Sequence, residues 1–327
     1  MERGEPMPKR RRAPCPEMAG YWQTWDLPCS RVFPLECVPN VYTDVMIAFI
    51  APDDEGVLRF AGPNVPRKED IFCLQQRGQR VLLSIGGGGV TVTLDTDQKV
   101  QRFSDSLYHL IMKLNVNGVD IDVEQGMPAL GTPLAPEGTA LGLIKGLDCV
   151  LKALPPGFQL TLAPETINLA GGMTRYEGVW GNYLPLILHF GDRISRIHMQ
   201  YYNSGPMKGL GGQMVEPGTV DFLVAMTDAI VQGFEIADTG VFFPGFPSWK
   251  VRAGLPATPK AASNGYMTPD LIHAAFCMLR RGRRPPCHPP ACPYRYFGGL
   301  MTWSIQWDAE NCFAFSCQNQ ANLEIFC

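Results

Sequence analysis

The stretch of sequence that decides the fold reads Asn117-Gly118-Val119-Asp120-Ile121-Asp122-Val123-Glu124. Because successive side chains of a strand point to opposite faces, its three valine and isoleucine side chains share one face, while Asp120, Asp122 and Glu124 share the other. We expect the apolar face to pack against helices and the acidic face to point towards the axis of a closed sheet. The stretch therefore predicts a strand of an α/β fold whose inner face carries carboxyl groups.

Other apolar runs with the character of strands accompany this one, and helical patterns separate them. The predicted strands are Ala19 to Trp25, Thr43 to Ile50, Arg80 to Gly86, Gly118 to Glu124, Gln159 to Glu165, Ile194 to Asn203, Gly240 to Phe246 and Gly298 to Ser304. Apolar residues recur at three- and four-residue steps at Phe103, Leu107, Leu110, Ile111 and Leu114, with similar stripes in 141–154 and 271–279. Alternating strands and helices imply a parallel sheet, and eight such units favour a (β/α)₈ TIM barrel over an open doubly wound sheet.

Length and charge narrow the class further. The chain has 327 residues, 46% of them hydrophobic, which is enough for one barrel of roughly 250 residues with short extensions. Its 28 basic and 31 acidic residues produce no strong field for nucleic acid or an anionic membrane. No apolar run has the length of a membrane span, and the N-terminus lacks the apolar stretch of a signal peptide. We expect a soluble monomer with no nucleic-acid or membrane partner.

The ends of the chain depart from the barrel pattern. Residues 1–17 combine prolines with Lys9-Arg10-Arg11-Arg12, and we predict a flexible arm ahead of a catalytic barrel that spans residues 18–327. A nuclear address or a polyanion contact is the alternative interpretation of the basic run, although a solvated tail is the more common one. The prolines between Pro285 and Pro293 predict an irregular loop.

The cysteines permit two interpretations. Cys287 and Cys292 are separated by four residues, as are Cys312 and Cys317. A zinc site or local disulfides would be the functional interpretation. Unpaired or incidentally paired thiols are the favoured one, because neither spacing is that of a CxxC pair.

Carboxyl groups gathered inside a barrel indicate a catalytic site. Burial and mutual repulsion both oppose ionisation, so a strand under no functional demand would carry apolar residues there. Neighbouring acids that share protons raise the pKa of at least one of them, which can then protonate a leaving group. Glu124 lies nearest the carboxyl end of its strand, where barrel active sites lie, and is the predicted proton donor. A metal site or a solvated acidic patch is the alternative, but the histidines form no ligand pattern, so we expect no metal and no cofactor.

The acidic segment resembles the DxxDxDxE motif of family 18 glycoside hydrolases, the chitinases and their relatives. Further matches occur in the expected order: Ser84-Ile85-Gly86-Gly87 resembles SxGG, Gln200-Tyr201-Tyr202-Asn203 resembles QxYN, and Met301-Thr302-Trp303-Ser304-Ile305 resembles the closing tryptophan strand. Ala19-Gly20-Tyr21-Trp22 and Ala163-Pro164-Glu165 match more weakly, and the resemblance extends over about residues 19 to 308. One position departs from the motif, because Asn117 stands where the family has aspartate, a change that could perturb the acid network without removing the donor.

The resemblance implies substrate-assisted cleavage of N-acetylglucosamine polymers, in which the sugar's own acetamido group replaces a protein nucleophile. It implies that Glu124 acts as general acid and then base, and that Asp122 orients the acetamido group. Asp120 would hold the proton behind Asp122. Tyr202 would donate a hydrogen bond to the acetamido carbonyl, with a buried core tyrosine as the alternative.

Further residues are expected to contact the sugar. Trp303 would form a floor beneath it, because an aromatic plane stacks on the apolar face of a pyranose, although a core tryptophan is the usual alternative. The other expected substrate-binding residues are Gln200, Asn203, Tyr21, Glu165 and Gly86. For Glu165, a structural hydrogen bond is as good an interpretation as a substrate contact.

On this resemblance the chain is expected to be a retaining endo-chitinase that acts outside the cell on chitin or its oligosaccharides. The connection between the seventh and eighth strands is too short for a large insertion domain, so we expect an open groove. An endo-β-N-acetylglucosaminidase acting on N-glycans is the first alternative, since such enzymes share the acidic motif. A chitinase-like lectin that binds without cleaving is the second, although Glu124 is present.

Overall fold

Parallel strands close into a barrel in the computed structural model, which describes residues 15–28, 33–285 and 288–327. In that part of the chain the eight barrel strands are β1 Glu17–Gln23, β2 Tyr42–Pro52, β3 Arg80–Gly86, β4 Gly118–Asp122, β5 Gln159–Leu162, β6 Arg196–Gln200, β7 Val251–Pro256 and β8 Gly299–Trp303. Each strand pairs with the next, and β1 pairs with both β2 and β8, which closes the sheet. The predicted (β/α)₈ TIM barrel is confirmed.

Helices surround the barrel. They are α1 Lys68–Gln76, α2 Asp97–Leu114, α3 Gly138–Lys152, α4 Thr166–Leu169, α5 Leu184–Phe190, α6 Val220–Gln232, α7 Pro269–Arg281, α8 Ile305–Glu310 and α9 Ala314–Glu324. The predicted stripe in 103–114 belongs to α2, whose N-cap Thr96 accepts a hydrogen bond from the backbone N–H of Lys99. That helix ends at Asn115, which adopts the left-handed conformation of a typical C-cap.

Short elements decorate this frame. Leu58–Phe60 pairs antiparallel with β2, and three two-stranded hairpins are formed by Gly131–Thr132 with Ala135–Pro136, Met207–Lys208 with Met214–Val215, and Phe234–Ile236 with Val241–Phe243. Turns of 3₁₀ helix lie at Leu35–Cys37, Ala170–Met173, Gly191–Arg193 and Ser248–Lys250. Within the described ranges no helix combines the length and the apolar character needed to cross a membrane.

The prediction for the seventh strand is wrong. The apolar run predicted there, Gly240 to Phe246, contributes Val241–Phe243 to the hairpin with Phe234–Ile236, which lies outside the barrel. The barrel strand is Val251–Pro256, paired with β6 and β8. Its sequence VRAGLP contains arginine, glycine and proline, so it does not read as a buried strand. The described residues between β7 and β8 include α7 and no other helix or strand, consistent with the absence of a large insertion.

The predicted strands also extend too far at their carboxyl ends. β4 ends at Asp122, β5 at Leu162 and β6 at Gln200. Glu124, Glu165 and Asn203 therefore lie on the loops that follow these strands. This places all three at the carboxyl-terminal face of the barrel, where loops rather than strands form binding sites.

Charged residues fill the amino-terminal end of the barrel interior. Glu17 and Asp44 both pair with Arg252, at 2.5 Å in each case, and Arg252 is fully buried. Arg80 bridges the same two carboxylates. Arg196 adds a contact of 3.2 Å to Glu17. We name this cluster of five charged residues at the bottom of the barrel (Glu17, Asp44, Arg80, Arg196 and Arg252) the ionic base. The layer above it is largely apolar, with Met46, Leu82 and Met301 among its members, and it separates the base from the carboxyl-terminal mouth.

Some predictions concern residues that are not described. Most of the predicted arm, with Lys9-Arg10-Arg11-Arg12, lies outside the described residues, and so does Cys287. Cys292, Cys312 and Cys317 carry free thiols. The described part of the segment from Pro285 to Pro293 contains neither helix nor strand, as predicted.

Candidate active site

The three acids of the decisive stretch follow one another up the inner face of β4. Asp120 is fully buried, Asp122 is 3% exposed, and Glu124, two residues beyond the strand, is half-buried. Accessibility to solvent therefore increases towards the mouth of the barrel. Of the three, Glu124 is the carboxyl best exposed to a molecule that enters there.

Asp120 is held by hydroxyl groups from three other strands. The Tyr21 hydroxyl donates to its Oδ2 at 2.8 Å, the Ser84 hydroxyl donates to the same oxygen at 2.8 Å, and the Thr161 hydroxyl donates to Oδ1 at 2.5 Å. These three bonds lower the pKa of Asp120, but its burial acts in the other direction and the net pKa is raised. Both oxygens thus have hydroxyl partners, which fixes the orientation of the Asp120 carboxyl group.

Asp122 lies between the other two acids and has the stronger tendency to be protonated. Burial, followed by the charges of Glu124 and Asp120, holds its pKa well above the ordinary range. Gln200 donates from Nε2 to Oδ1 of Asp122 at 2.7 Å and to the carbonyl of Ala163 at 2.9 Å. The predicted substrate-binding residue Gln200 therefore orients Asp122, and both amide hydrogens have acceptors.

Glu124 and Glu165 form a second pair of neighbouring acids at the mouth. Burial raises the pKa of Glu124. Burial, and then the charge of Glu124, raises the pKa of Glu165 to about 7. A proton is therefore retained near the barrel mouth at a pH where ordinary carboxyl groups are ionised.

Tyr202 lies two residues beyond the end of β6 and is 4% exposed. Its burial and the charges of Asp122, Glu124 and Glu165 hold its pKa well above the ordinary value, so its hydroxyl keeps its proton and can donate it in a hydrogen bond. The sequence placed Tyr202 and the acids far apart in the chain, and the structure brings them together.

A loop between β7 and α7 contacts Tyr202 and is hydrogen-bonded to the two residues that follow it. Asn203, predicted to bind substrate, is exposed in a left-handed conformation, and its Oδ1 accepts hydrogen bonds from the N–H and the hydroxyl of Ser263. Asn264 accepts from the Ser204 N–H at 3.2 Å and donates to the Ser204 carbonyl at 2.8 Å. Gly265 passes so close that a Cβ there would lie 2.5 Å from the Cα of Tyr202. We name residues 263–265 the tyrosine clamp.

The Asn264→Ala variant should lower kcat for oligosaccharide hydrolysis by about tenfold, because loss of both hydrogen bonds to Ser204 loosens the segment that aims Tyr202. The measurement is steady-state kinetics beside a thermal melt. Ser204→Ala is the matched control, because only the backbone of Ser204 takes part in the clamp. Equal kinetics for Asn264→Ala and the control would contradict a positioning role.

Aromatic rings form one wall of the mouth. Trp303, half-buried at the end of β8, stacks on Phe49 with centroids 5.7 Å apart and planes inclined by 8°. Trp25 lies beside both rings, 6.2 Å from Trp303 and 5.9 Å from Phe49. The sequence predicted Trp303, whereas nothing in it indicated Phe49, which belongs to no motif.

The remaining tryptophans lie elsewhere. The Trp22 indole donates to the Phe33 carbonyl and belongs to the outer core, as does Trp307. Trp249 contacts Arg196 and Lys250 at the amino-terminal end of the barrel. The guanidinium of Arg175 covers the Trp180 ring at 4.7 Å.

The glycine run after β3 lies against the acids. Gly86 has φ of +114°, and a Cβ there would lie 2.4 Å from the carbonyl oxygen of Asp122, so only glycine permits the close approach of β3 to β4. A Cβ at Gly88 would lie 3.2 Å from Oε2 of Glu124. Sequence reasoning missed Gly88, because its importance depends on a contact with Glu124, which is distant in sequence.

The Gly88→Ala variant is expected to lower kcat/KM about tenfold, because the new methyl group presses on the Glu124 carboxyl and shifts it by a few tenths of an ångström. Kinetics on a soluble oligosaccharide measure the effect. Gly157→Ala supplies the control, since a Cβ at Gly157 meets nothing within 4 Å. An unchanged rate for Gly88→Ala would show that the carboxyl tolerates the displacement.

Asn117, which departs from the family motif, lies outside the acid network. Because it precedes Val119 by two residues, its side chain lies on the same outer side of the sheet as that of Val119. Its Oδ1 accepts hydrogen bonds from the Val81 N–H at 2.9 Å and from Gln75 at 3.0 Å. Asn117 thus ties the amino-terminal ends of β3 and β4 and the end of α1 together.

The arrangement combines neighbouring acids whose pKa values are raised with an aromatic wall at the mouth of a barrel. In the described ranges, no three histidine, cysteine or acidic side chains are grouped so as to hold a metal ion. A protonated carboxyl suits the oxygen of a leaving sugar, and an aromatic plane suits the apolar face of a pyranose. Fold and site together define the class of glycoside hydrolases.

Comparison with known proteins gives the family. Residues 17–142 match the model of glycosyl hydrolases family 18. Chitinase Chi52 of Paenibacillus xylanexedens is 35% identical over 91% of this chain and 60% of its own length, and Endochitinase 4 of Metarhizium robertsii is 30% identical over 91% of this chain and 86% of its own length. The chain belongs to the glycosyl hydrolases family 18. It spans about 60% of the length of the Paenibacillus relative.

A solved structure agrees with this assignment. The crystal structure of a family GH18 chitinase from Chromobacterium violaceum superposes with a TM-score of 0.86 at 31% identity, covering 95% of this chain and 85% of the other.

Proposed function

We propose that the chain is a retaining endo-chitinase that hydrolyses β-1,4 bonds between N-acetylglucosamine units. The observation that carries the proposal is the row of carboxyls on β4 and on the loop directly after it, with Asp122 bound to Gln200 and Glu124 open to the mouth. The relatives named as chitinases and endochitinases support the choice of polymer. An enzyme that acts on an insoluble polymer meets it outside the cell, so we also propose that the chain acts there. We further propose that it acts as a monomer.

The proposed mechanism divides the reaction among four side chains. The carboxylic acid of Glu124 protonates the glycosidic oxygen, while the substrate's acetamido oxygen attacks the anomeric carbon and forms an oxazolinium ion. Asp122 orients the acetamido group and, as carboxylate, stabilises the positive charge. Glu124, now ionised, takes a proton from the water molecule that attacks the anomeric carbon and opens the oxazolinium ring. The configuration at the anomeric carbon is therefore retained.

Two further groups support these steps, and a third binds the sugar. Tyr202 donates a hydrogen bond to the acetamido carbonyl, which is consistent with a hydroxyl that keeps its proton. Asp120, whose oxygens accept hydrogen bonds from Tyr21, Ser84 and Thr161, holds the proton behind Asp122 while Asp122 acts as the carboxylate. Trp303 forms the floor under the sugar ring.

Product analysis tests the proposal. Tetramers to hexamers of N-acetylglucosamine should be cleaved at internal bonds, with products that first appear in the β configuration. A parallel assay measures release of N-glycans from a glycoprotein. Glycan release without cleavage of the oligomers would replace the proposal by an endo-β-N-acetylglucosaminidase, and oligosaccharide binding without turnover in either assay would replace it by a lectin.

The alkaline limb of the pH profile is expected to depend on Glu165. Activity falls as pH rises through the pKa of Glu124, because the donor loses its proton. Glu165 ionises at about 7, and its charge favours the protonated form of Glu124 because electrostatic interaction is mutual. Glu165→Gln should therefore move the limb to lower pH, by roughly half a unit to one unit. The measurement is kcat/KM on a soluble oligosaccharide, and a limb that stays or moves upward would contradict the coupling.

A further inference from the structure

An exposed apolar strip lies on the same face of the barrel as the acids. Leu134 is 71% exposed, Leu130 is 46% exposed and Val179 is 43% exposed. Leu130 and Leu134 belong to the connection between β4 and α3, which carries Glu124, and Val179 belongs to the connection between β5 and α5, which carries Glu165 and α4. We name Leu130, Leu134 and Val179 the apolar rim.

The backbone beneath the rim is tied down. The Ala129 N–H donates to the Gly178 carbonyl at 2.6 Å, which joins the two loops next to Leu130 and Val179. Asn182 donates to the Met127 carbonyl at 2.8 Å and joins the same loops a second time. The rim is therefore a fixed feature of the surface and is already arranged for contact with a partner.

The hairpin that carries Leu134 has no local need for leucine. Gly131–Thr132 pairs with Ala135–Pro136, Pro133 is buried at the turn, and the next residue points outward. Turns of this kind favour glycine, asparagine or another polar residue. A leucine that is 71% exposed at this position leaves its apolar side chain in water and does not stabilise the fold by burial.

A polar cleft borders the rim. It has a volume of about 470 Å³, and it is lined by Thr132, Arg175, Glu177, Asp238 and Thr239, among others. Hydroxyl, carboxylate and guanidinium groups therefore lie beside the apolar side chains. Apolar contacts bordered by hydrogen-bonding groups suit a sugar polymer, whose pyranose faces and acetyl methyl groups are apolar and whose ring edges carry hydroxyl and amide groups.

We infer that the apolar rim docks the enzyme on the surface of solid chitin. The inference rests on the proposed function and deepens it. Packed chains in a solid present many pyranose faces side by side, so a rigid apolar strip can contact several of them at once. Because the rim lies on loops at the same carboxyl-terminal face of the barrel as Glu124 and Glu165, docking turns the active site towards the polymer. A short soluble oligosaccharide needs only the mouth.

The test compares a rim variant, Leu130→Ser, Leu134→Ser and Val179→Ser together, with wild type on two substrates. Adsorption to insoluble chitin is measured by depletion of protein from solution, and hydrolysis is measured on a soluble tetramer. We expect adsorption of the rim variant to weaken about tenfold or more, with tetramer kinetics unchanged. The single variant Leu134→Ser, which changes only the hairpin tip, should weaken adsorption by about threefold and covers the case in which the triple variant fails to fold.

The matched control replaces exposed apolar residues on the outer helices, with Phe72→Ser, Met112→Ser and Leu271→Ser. These side chains are 54%, 56% and 39% exposed on α1, α2 and α7. Adsorption equal for wild type and the rim variant would overturn the inference, and so would an equal loss in the control. A wild-type dimer that only the rim variant dissociates would assign the rim to a second copy of the chain instead. Failure of wild type to cleave the tetramer would overturn the proposed function itself.

Discussion

The Glu124→Gln variant is expected to lose about a thousandfold in kcat/KM on chitin oligosaccharides while it folds and binds them as wild type does. Glutamine has the size of glutamate but carries no transferable proton, so the leaving sugar would depart as an unprotonated alkoxide. Asp122 is not expected to replace it, because Asp122 is 3% exposed and bound to Gln200. Steady-state kinetics and calorimetric binding of a tetramer measure the two quantities separately.

Glu216→Gln is the matched control for this variant. Glu216 is exposed on the loop that follows β6, at the same face of the barrel, and its side chain has no part in the acid network. The control should keep wild-type kinetics. A Glu124→Gln variant with wild-type turnover would contradict the assignment of the proton donor, whereas a loss of turnover together with a loss of the folded state would show that Glu124 is needed for the fold.

The acidic strand could be predicted because its signal is local. The alternation of Val119, Asp120, Ile121 and Asp122 determines both the strand and the face on which its acids lie, and position near the end of a strand indicates the mouth. The third strand was predicted with its true bounds, Arg80–Gly86, for a similar reason. Assignment to family 18 through the motifs is confirmed by the comparisons.

Other parts of the site depend on contacts between distant residues. Phe49 joins the aromatic wall only because β2 and β8 bring it against Trp303, and Asn264 acts on Ser204 across sixty positions of sequence. No local pattern indicates either contact. Tyr21 was predicted at the site as a sugar ligand, yet its hydroxyl donates to Asp120, which suggests a role in holding the acids.

The seventh strand could not be predicted because its residues satisfy the barrel base rather than an ordinary core. Arg252 breaks the apolar run of β7, and its charge is stable there only because Glu17 and Asp44 arrive from two other strands. Because arginine side chains are usually exposed, a sequence pattern predicts a buried one only if its ion-pair partners are known. The apolar run in 240–246 was the more obvious strand, and it was used in an external hairpin instead.

The ionic base leads to a second prediction of large effect. Asp44→Asn is expected to lower the free energy of unfolding by about 3–5 kcal/mol, because it leaves the fully buried Arg252 and its neighbour Arg80 with one carboxylate in place of two. The contacts with Arg252 and Arg80 lower the pKa of Asp44 far below its ordinary value although burial opposes them. Urea-induced unfolding, followed by circular dichroism near neutral pH, measures the loss.

The pH dependence and a surface control make the prediction specific. A carboxyl whose pKa is lower in the folded than in the unfolded state stabilises the fold above its unfolded pKa, about 3.9, and this contribution is lost as the pH falls towards the folded value. The difference between wild type and Asp44→Asn should therefore be largest near neutral pH and shrink below about pH 4. Asp53→Asn alters an aspartate paired with Arg59 at the surface, and it should change the unfolding midpoint little. Equal midpoints for the two variants at neutral pH would show that the buried pairs only balance the cost of removing their charges from water.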